Sequence, residues 1–438
     1  MARFRAHWPF LLALLFVASP WRSTCPAATV KFDLELRAGD QDRHASPAAV
    51  ELPVPAGFAK ATRATVVDAA GKEHAAQLTG PALLASSVAV KDKPTVQREL
   101  HFIVDELPRG TTAHWTATIS DEAPDSAASA AGFHWQDTAG DHEDLLYGDR
   151  TLLRYMYHAL DASTPERRVE TYKVFHHVFD PSGKTLLTKG AGGEFTHHRG
   201  LFFGFNKVTY DGNKKCDIWH CKDTAFQSHD GFLDTEAGPV LGRQRVAIGW
   251  HGLKDEVFAN EQRELTVYRP VSGDAGFLIE FASRVRTADG NITLDGDPQH
   301  AGFHFRAVQE VADEAKAKKS QTIYIRPDGV GKIGETRNWE KDKRTDQVNF
   351  PWKGMSVMIG GQRYTIGYLD KPTNPKEARF SERDYGRFGS YFEYTISPDH
   401  PLEVNYRVWV QPGEMQPEQI AALDNDFVNP IVVVAKAL

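Results

Sequence analysis

The chain has 438 residues, of which 41% are hydrophobic and 25% charged; these are globular values that exclude a disordered chain and a bundle of membrane helices. Its formal net charge is −7 and no Lys/Arg run offsets this locally, which excludes a nucleic acid as partner. The length is enough for more than one compact unit and a large buried core.

The first 28 residues read as a secretory signal peptide. Arg3 and Arg5 precede an apolar run from Trp8 to Ala18, and small residues suited to cleavage follow as far as Ala27 and Ala28. The run is too short to span a bilayer, and no later stretch reaches about 18 apolar residues, so the remaining chain is expected to lack a transmembrane segment and to be secreted or periplasmic. Cys216 and Cys221 are then the only cysteines left, with four residues between them, and an oxidising compartment favours a disulfide between the two over Cys/His metal ligation or free thiols.

Residues 29–120 alternate apolar and polar positions in short segments such as VKFDLEL, AVELPVP and AHWTATI, with Pro and Gly between them. This pattern predicts a small accessory β-sandwich. Residues 121–132, DEAPDSAASAAG, have no periodic apolar face and read as a linker. From 133 to 438 short alternating segments recur: TLLRYMYHAL, ETYKVFHHVFD, KTLLTK after the turn at Asp180 to Gly183, and on to LEVNYRVWV. Only two short helices are expected, near Val311 to Lys319 and Pro417 to Leu423. The fold class predicted is all-β: a large antiparallel sandwich or supersandwich preceded by a small one. No GxGxxG motif, P-loop or βαβ alternation is present.

The segment from Glu194 to Asp234 gathers His197, His198, Arg199, Asp217, Trp219, His220 and His229, more titratable groups than packing calls for. Neutral imidazole is a common metal ligand and also a base near neutral pH, so His197 and His198 are candidates for either role; His197, His198 and His229 form a candidate metal set. Arg199 is the candidate anion holder. Asp217 and Trp219 are candidates for substrate binding, the indole as a platform for a sugar ring. Further along, DGDPQHAGFHFRA brings Asp297, His300, His304 and Arg306, and a Pro-rich loop brings Asn374, Arg383, Asp384, Tyr385 and Arg387. Tyr385 and Asp384 are candidates for proton transfer; Arg306, Arg383 and Asn374 for binding substrate. Each of these groups also has a structural use, as a loop cap or a buried ion pair.

The motifs HHRGLFFGFNKV with DIW, GDPQHAGFHFR and DKPTNP with ERDYGRFG resemble those of secreted bacterial proteins catalogued as "methane oxygenase PmoA-like", also described as a domain of unknown function; the resemblance spans roughly residues 148–411. His197, His198 and Arg199 fall on its His-His-Arg motif, Asp217 and Trp219 on its Asp and Trp, Asp297 and Arg306 on its Gly-Asp…Arg strand, and Asp384, Tyr385 and Gly386 on its Arg-Asp-Tyr-Gly. His300 stands where that family commonly has an acidic residue. The resemblance implies a β-sandwich whose relatives occur with sugar-processing proteins.

Three functions follow as expectations. One is an exported enzyme that cleaves a glycosidic bond by elimination or hydrolysis, using a His/Arg/Tyr site with or without a divalent metal ion. Hydrolysis by paired carboxylates would fall to Asp217 and Asp384. The second is a non-catalytic carbohydrate-binding protein, with Trp219, Trp250 and Tyr385 stacking on rings. The third is a metal-dependent oxygenase.

Overall fold

The computed structural model describes residues 28–85, 95–121, 132–270, 275–340 and 347–438. The expected signal peptide except Ala28, and all of the expected linker except its two end residues, lie outside them. Strand accounts for 55% and helix for 8%, so the fold is all-β with large antiparallel sheets. No helix among the described residues is long and apolar enough to cross a membrane.

Seven strands form the first sheet, in the order Arg43–Pro55, Thr95–Leu107, Glu73–Thr79, Arg63–Val67, Thr112–Ser120, Thr29–Arg37 and Val432–Ala437. The alternation in VKFDLEL sends Phe32, Leu34 and Leu36 inward, onto Val54, Val66, Leu78, Phe102 and Ile119, while the residues between them face outward. The last strand of the chain completes this sheet, pairing Phe32 with Ala437 through to Arg37 with Val432.

Two larger sheets pack face to face. One has eight strands: Arg379–Arg383, Arg387–Tyr391, Ala301–Arg306, Gly200–Phe205, Phe175–Val178, Arg150–Met156, His142–Tyr147 and Phe133–Thr138. The other has nine, running from Phe226–Ala237 to Gly329–Val330. Aromatic rings fill the space between them; Phe281 and Phe303, one from each layer, stack with centroids 4.2 Å apart. A four-stranded sheet, Lys214–Cys216, Lys207–Tyr210, Ile292–Asp295 and Tyr394–Ile396, flanks the sandwich.

In the eight-stranded sheet, period two decides which residues meet the core. Leu201, Phe203, Phe205, Phe303, Phe305 and Phe388 face the other layer. The register sets Phe202 opposite His304 and Gly200 opposite Arg306, with Arg306 opposite Arg387, so these side chains share the outer face.

Helices Gln309–Lys316 and Pro417–Val428 lie where the sequence placed them. A third, Pro165–Thr171, was not expected and lies mainly between the segments TLLRYMYHAL and ETYKVFHHVFD, overlapping the second only at Glu170 and Thr171; Thr164 caps it by accepting from Arg167 N, and Pro165 occupies its first turn. KTLLTK forms only isolated bridges, Phe179 with Leu186 and Thr188 with Ala307.

The disulfide is corrected. Cys216 and Cys221 are both free and buried. Cys216 ends a strand opposite Val208 and packs in the main core, whereas Cys221 lies beyond a turn, donates to Ile218 O at 3.4 Å and packs with Tyr172 and Phe226. The turn sends the two side chains into different clusters.

Candidate functional site

Four segments meet on the outer face of the eight-stranded sheet. The loop before Gly200–Phe205 carries Phe195, His197 and His198; the loop after Lys214–Cys216 carries Asp217, Trp219 and His220; the loop before Ala301–Arg306 carries Asp297 and His300; and the turn before Arg387–Tyr391 carries Tyr385. Ring centroids lie 4.2 Å apart for His197 and His198, 4.3 Å for His197 and His220, and 4.8 Å for His220 and His300.

One potential ligand atom each from His197, His198 and His300 all lie within 4.8 Å of one another. Nitrogens that share a tetrahedral ion at about 2.1 Å stand about 3.4 Å apart, so only small side-chain adjustments separate this group from a ligand set. Its chemistry fits as well. Both ring nitrogens of His198 and Nε2 of His197 are buried without a hydrogen-bond partner. Burial lowers the pKa of both imidazoles, His197 to about 2, and neighbouring cationic groups add to this, so both rings are neutral, the form that ligates.

Two carboxylates fix the other rings. Asp217 Oδ2 accepts from His220 Nδ1 at 2.7 Å, and Asp297 Oδ1 accepts from His300 Nδ1 at 2.9 Å, which leaves each Nε2 as the lone-pair nitrogen. Burial pushes both carboxyls up, but the bonds from the histidines outweigh it and hold both below the usual carboxylate range. The metal set read from the sequence is thus changed in one member. His229 lies on Phe226–Ala237 against Tyr155, its Nδ1 3.2 Å from that hydroxyl, and is not part of the group; His300 takes its place.

His304 is fully engaged beneath the cluster: Nδ1 accepts from Arg387 Nη1 at 2.9 Å and Nε2 donates to Ala301 O at 2.8 Å. Arg387 also donates through Nη2 to Ser381 Oγ at 3.0 Å and through Nε to the Tyr385 hydroxyl at 3.3 Å. Arg383 donates through Nη1 to Glu382 O at 3.2 Å, and the Tyr385 hydroxyl, which accepts from Arg387, has its own O–H left to donate. The Arg306 guanidinium lies 4.7 Å from the Tyr385 ring centroid, and Tyr385 stacks parallel to His198 at 6.3 Å. Phe195, 40% exposed, packs on Tyr385 at 4.9 Å and forms an aromatic rim.

Several expected site residues have other employment. The Arg199 guanidinium donates to the carbonyls of Thr196, Glu170 and Val169 and lies over the Tyr172 ring. Trp219 is wholly buried beneath His198 and His304, with no face open to a sugar; Trp250 is a core residue bonded to Glu261. Asn374 is buried elsewhere, bridging Asp370 and the backbone of Asn405. The Asp384 carbonyl accepts from Thr322 Oγ1 at 2.7 Å and anchors the turn that presents Tyr385. Phe195 and Lys173 were not anticipated. The buried ammonium of Lys173 donates to His197 O and Trp219 O and so ties two of the site loops together; burial lowers its pKa to about 8. A cavity of about 1240 Å³ opens between the first sheet and the sandwich, lined by Trp115, Tyr268 and Trp409 among others, and none of the histidines of the cluster borders it.

A family model described as "Family of unknown function (DUF6807)" matches residues 142–424. This corrects the resemblance drawn from the motifs: the matching family is DUF6807 and not a methane oxygenase PmoA-like one. No curated protein matches the chain. Solved structures similar to it include an alpha-mannosidase from Enterococcus faecalis V583, at 9% identity and TM-score 0.40, covering 94% of this chain and 46% of that one. A protein in the Glycosyl Hydrolase Family 38 from Enterococcus faecalis aligns at 10% identity and TM-score 0.38, covering 94% and 47%. A GH36 alpha-galactosidase from Geobacillus stearothermophilus aligns at 10% and 0.28, covering 65% and 40%. The chain spans less than half the length of each, and superpositions this loose assign no chemistry.

Proposed function

The chain belongs to the DUF6807 family, whose function is unknown, and we propose that it is an exported carbohydrate-active enzyme that cleaves a glycosidic bond with the help of a histidine-held divalent metal ion. The observation that carries this is the group of His197, His198 and His300, whose donor atoms lie within 4.8 Å of one another and include buried nitrogens with no partner. Leaving such polar atoms unpaired is costly, and an ion removes the cost. The rim formed by Phe195 and Tyr385 suits the apolar face of a sugar ring.

Elimination fits the donors better than two-carboxylate hydrolysis, because Asp217 is committed to His220 and the side chain of Asp384 has no partner role in the cluster among the described contacts. A bound divalent ion would stabilise negative charge developing on a substrate oxygen. His220, oriented by Asp217, takes the proton from a carbon next to an acyl group. The electron pair of that bond forms the new C=C bond as the C–O bond to the leaving sugar breaks. The leaving oxygen collects the proton of the Tyr385 hydroxyl, which Arg387 holds in place.

The test combines metal analysis of the purified full chain with a polysaccharide screen that reads both new reducing ends and the ultraviolet absorbance of unsaturated products. His198→Ala is expected to lose bound metal and turnover together. Tyr385→Phe is expected to keep metal and lose about 100-fold or more in turnover. A full chain that takes up no transition metal, or a Tyr385→Phe variant with undiminished turnover, overturns the assignment.

A further inference from the structure

Three fully buried arginines of this chain can be compared directly. Arg263 donates through Nε and Nη2 to the two carboxylate oxygens of Glu261, at 2.8 and 3.0 Å. Arg326 does the same with Glu382, at 2.9 and 2.7 Å. Those two N–H groups lie parallel on one edge of the guanidinium and match the spacing of carboxylate oxygens. Arg306 is as deeply buried; its Nη1 donates to Tyr385 O, but Nε and Nη2, the same edge, have no acceptor.

The surroundings do not supply one. Arg306, Arg383, Arg387 and Lys189 are neighbours, and none of them makes an ion pair among the described residues. The field of Glu194 reaches Arg306, yet the two form no hydrogen bond among those residues. The carboxylates at the cluster itself, Asp217 and Asp297, are bonded to His220 and His300. A group of cations beside a histidine cluster, one of them holding out a carboxylate-shaped pair of donors next to Tyr385, calls for an anion from outside the chain.

We propose that this anion is a carboxylate carried by the substrate, seated on the Nε/Nη2 edge of Arg306, which makes the substrate an acidic saccharide of the hexuronate class. The inference rests on the proposal that the site cleaves sugars, and it supplies what elimination needs: the carbon bearing the carboxylate is the one whose proton leaves. Arg306 acts as a specificity-determining residue, contacting the substrate away from the bond that breaks.

Calorimetric titration of the full chain with glucuronate, glucose and glucose 6-sulfate, each with and without saturating zinc, tests this. Glucuronate is expected to bind about tenfold or more tightly than either competitor. Arg306→Lys keeps the charge but loses the paired donors, and is expected to lose most of that preference while zinc binds as in the parent chain. Equal affinity for glucuronate and glucose, or a preference that survives Arg306→Lys, overturns the inference; so does tighter binding of glucose 6-sulfate, which would make the anion a sulfate ester. Zinc binding without a preference defeats this inference and leaves the metal site standing. A preference without zinc binding supports the carboxylate and defeats the metal-assisted enzyme.

Discussion

Arg199 stands beside the histidine pair in sequence and turns its guanidinium away from it. Its donors go to Thr196 O at 2.9 Å, to Glu170 O at 3.0 Å and to Val169 O, and the last two belong to the final turn of the helix Pro165–Thr171. Carbonyls at a helix C-terminus have no partner within the helix and carry the negative end of its dipole, so a buried cation there serves the fold. Chain neighbours entering a strand diverge to opposite sides, and a motif that names three adjacent residues does not say which of them faces the site. Arg199→Met should therefore cost on the order of 3 kcal/mol in urea unfolding while zinc affinity changes by less than about threefold. A variant of undiminished stability that binds zinc poorly would return Arg199 to the site.

At the scale of elements, the site depends on how closely two strands approach. Gly389 on Arg387–Tyr391 lies opposite His304, and a Cβ there would stand 2.2 Å from Phe303 O and 2.6 Å from His304 Cγ. The His304 ring occupies the space that a side chain would take, and from there it accepts from Arg387, which in turn holds the Tyr385 hydroxyl. Gly389→Ala should lower stability by about 2–3 kcal/mol in denaturant unfolding, and an unchanged midpoint would show that the strands can part without loss. Strands elsewhere were legible in the sequence because alternation is a local signal, as in VKFDLEL. The helix Pro165–Thr171 was also written locally, in Thr164-Pro165-Glu166, but the apolar run that follows it obscured the signal. The density of histidines around His197 marked the region where three of the four clustered histidines lie, His197, His198 and His220. The choice of His300 over His229 as third member was not legible, because Ala301–Arg306 pairs with Gly200–Phe205 across about a hundred residues of chain, and such pairing leaves no trace in local periodicity.

For the whole molecule, the two ends of the described residues meet in one sheet. Strand Val432–Ala437 pairs with Thr29–Arg37, and Ile431 is buried in the core of that first sheet, so residues from both ends of the described chain build one layer. The preceding helix Pro417–Val428 adds a second tie: Asp426 accepts from Arg43 Nη1 and Ser46 Oγ, both at 2.6 Å. Elsewhere Gln77 Oε1 accepts from Val240 N and Leu241 N, and Arg243 donates to Glu99 at 3.1 Å, all of them buried. A sheet whose last strand arrives from beyond the sandwich, and whose polar groups are satisfied by the sandwich, cannot unfold alone without leaving buried donors and acceptors unpaired. Calorimetry of the full chain should therefore show a single transition. Deleting residues 430–438 bares one side of Thr29–Arg37 and removes Ile431 from the core, so the shortened chain should show an added, earlier transition belonging to the first sheet. Zinc binding should survive the deletion, since His197, His198, His220 and His300 sit on loops of the sandwich that take no part in these ties. Two transitions in the intact chain, or one unshifted transition after the deletion, would mean that the layers are energetically independent despite the strand they share.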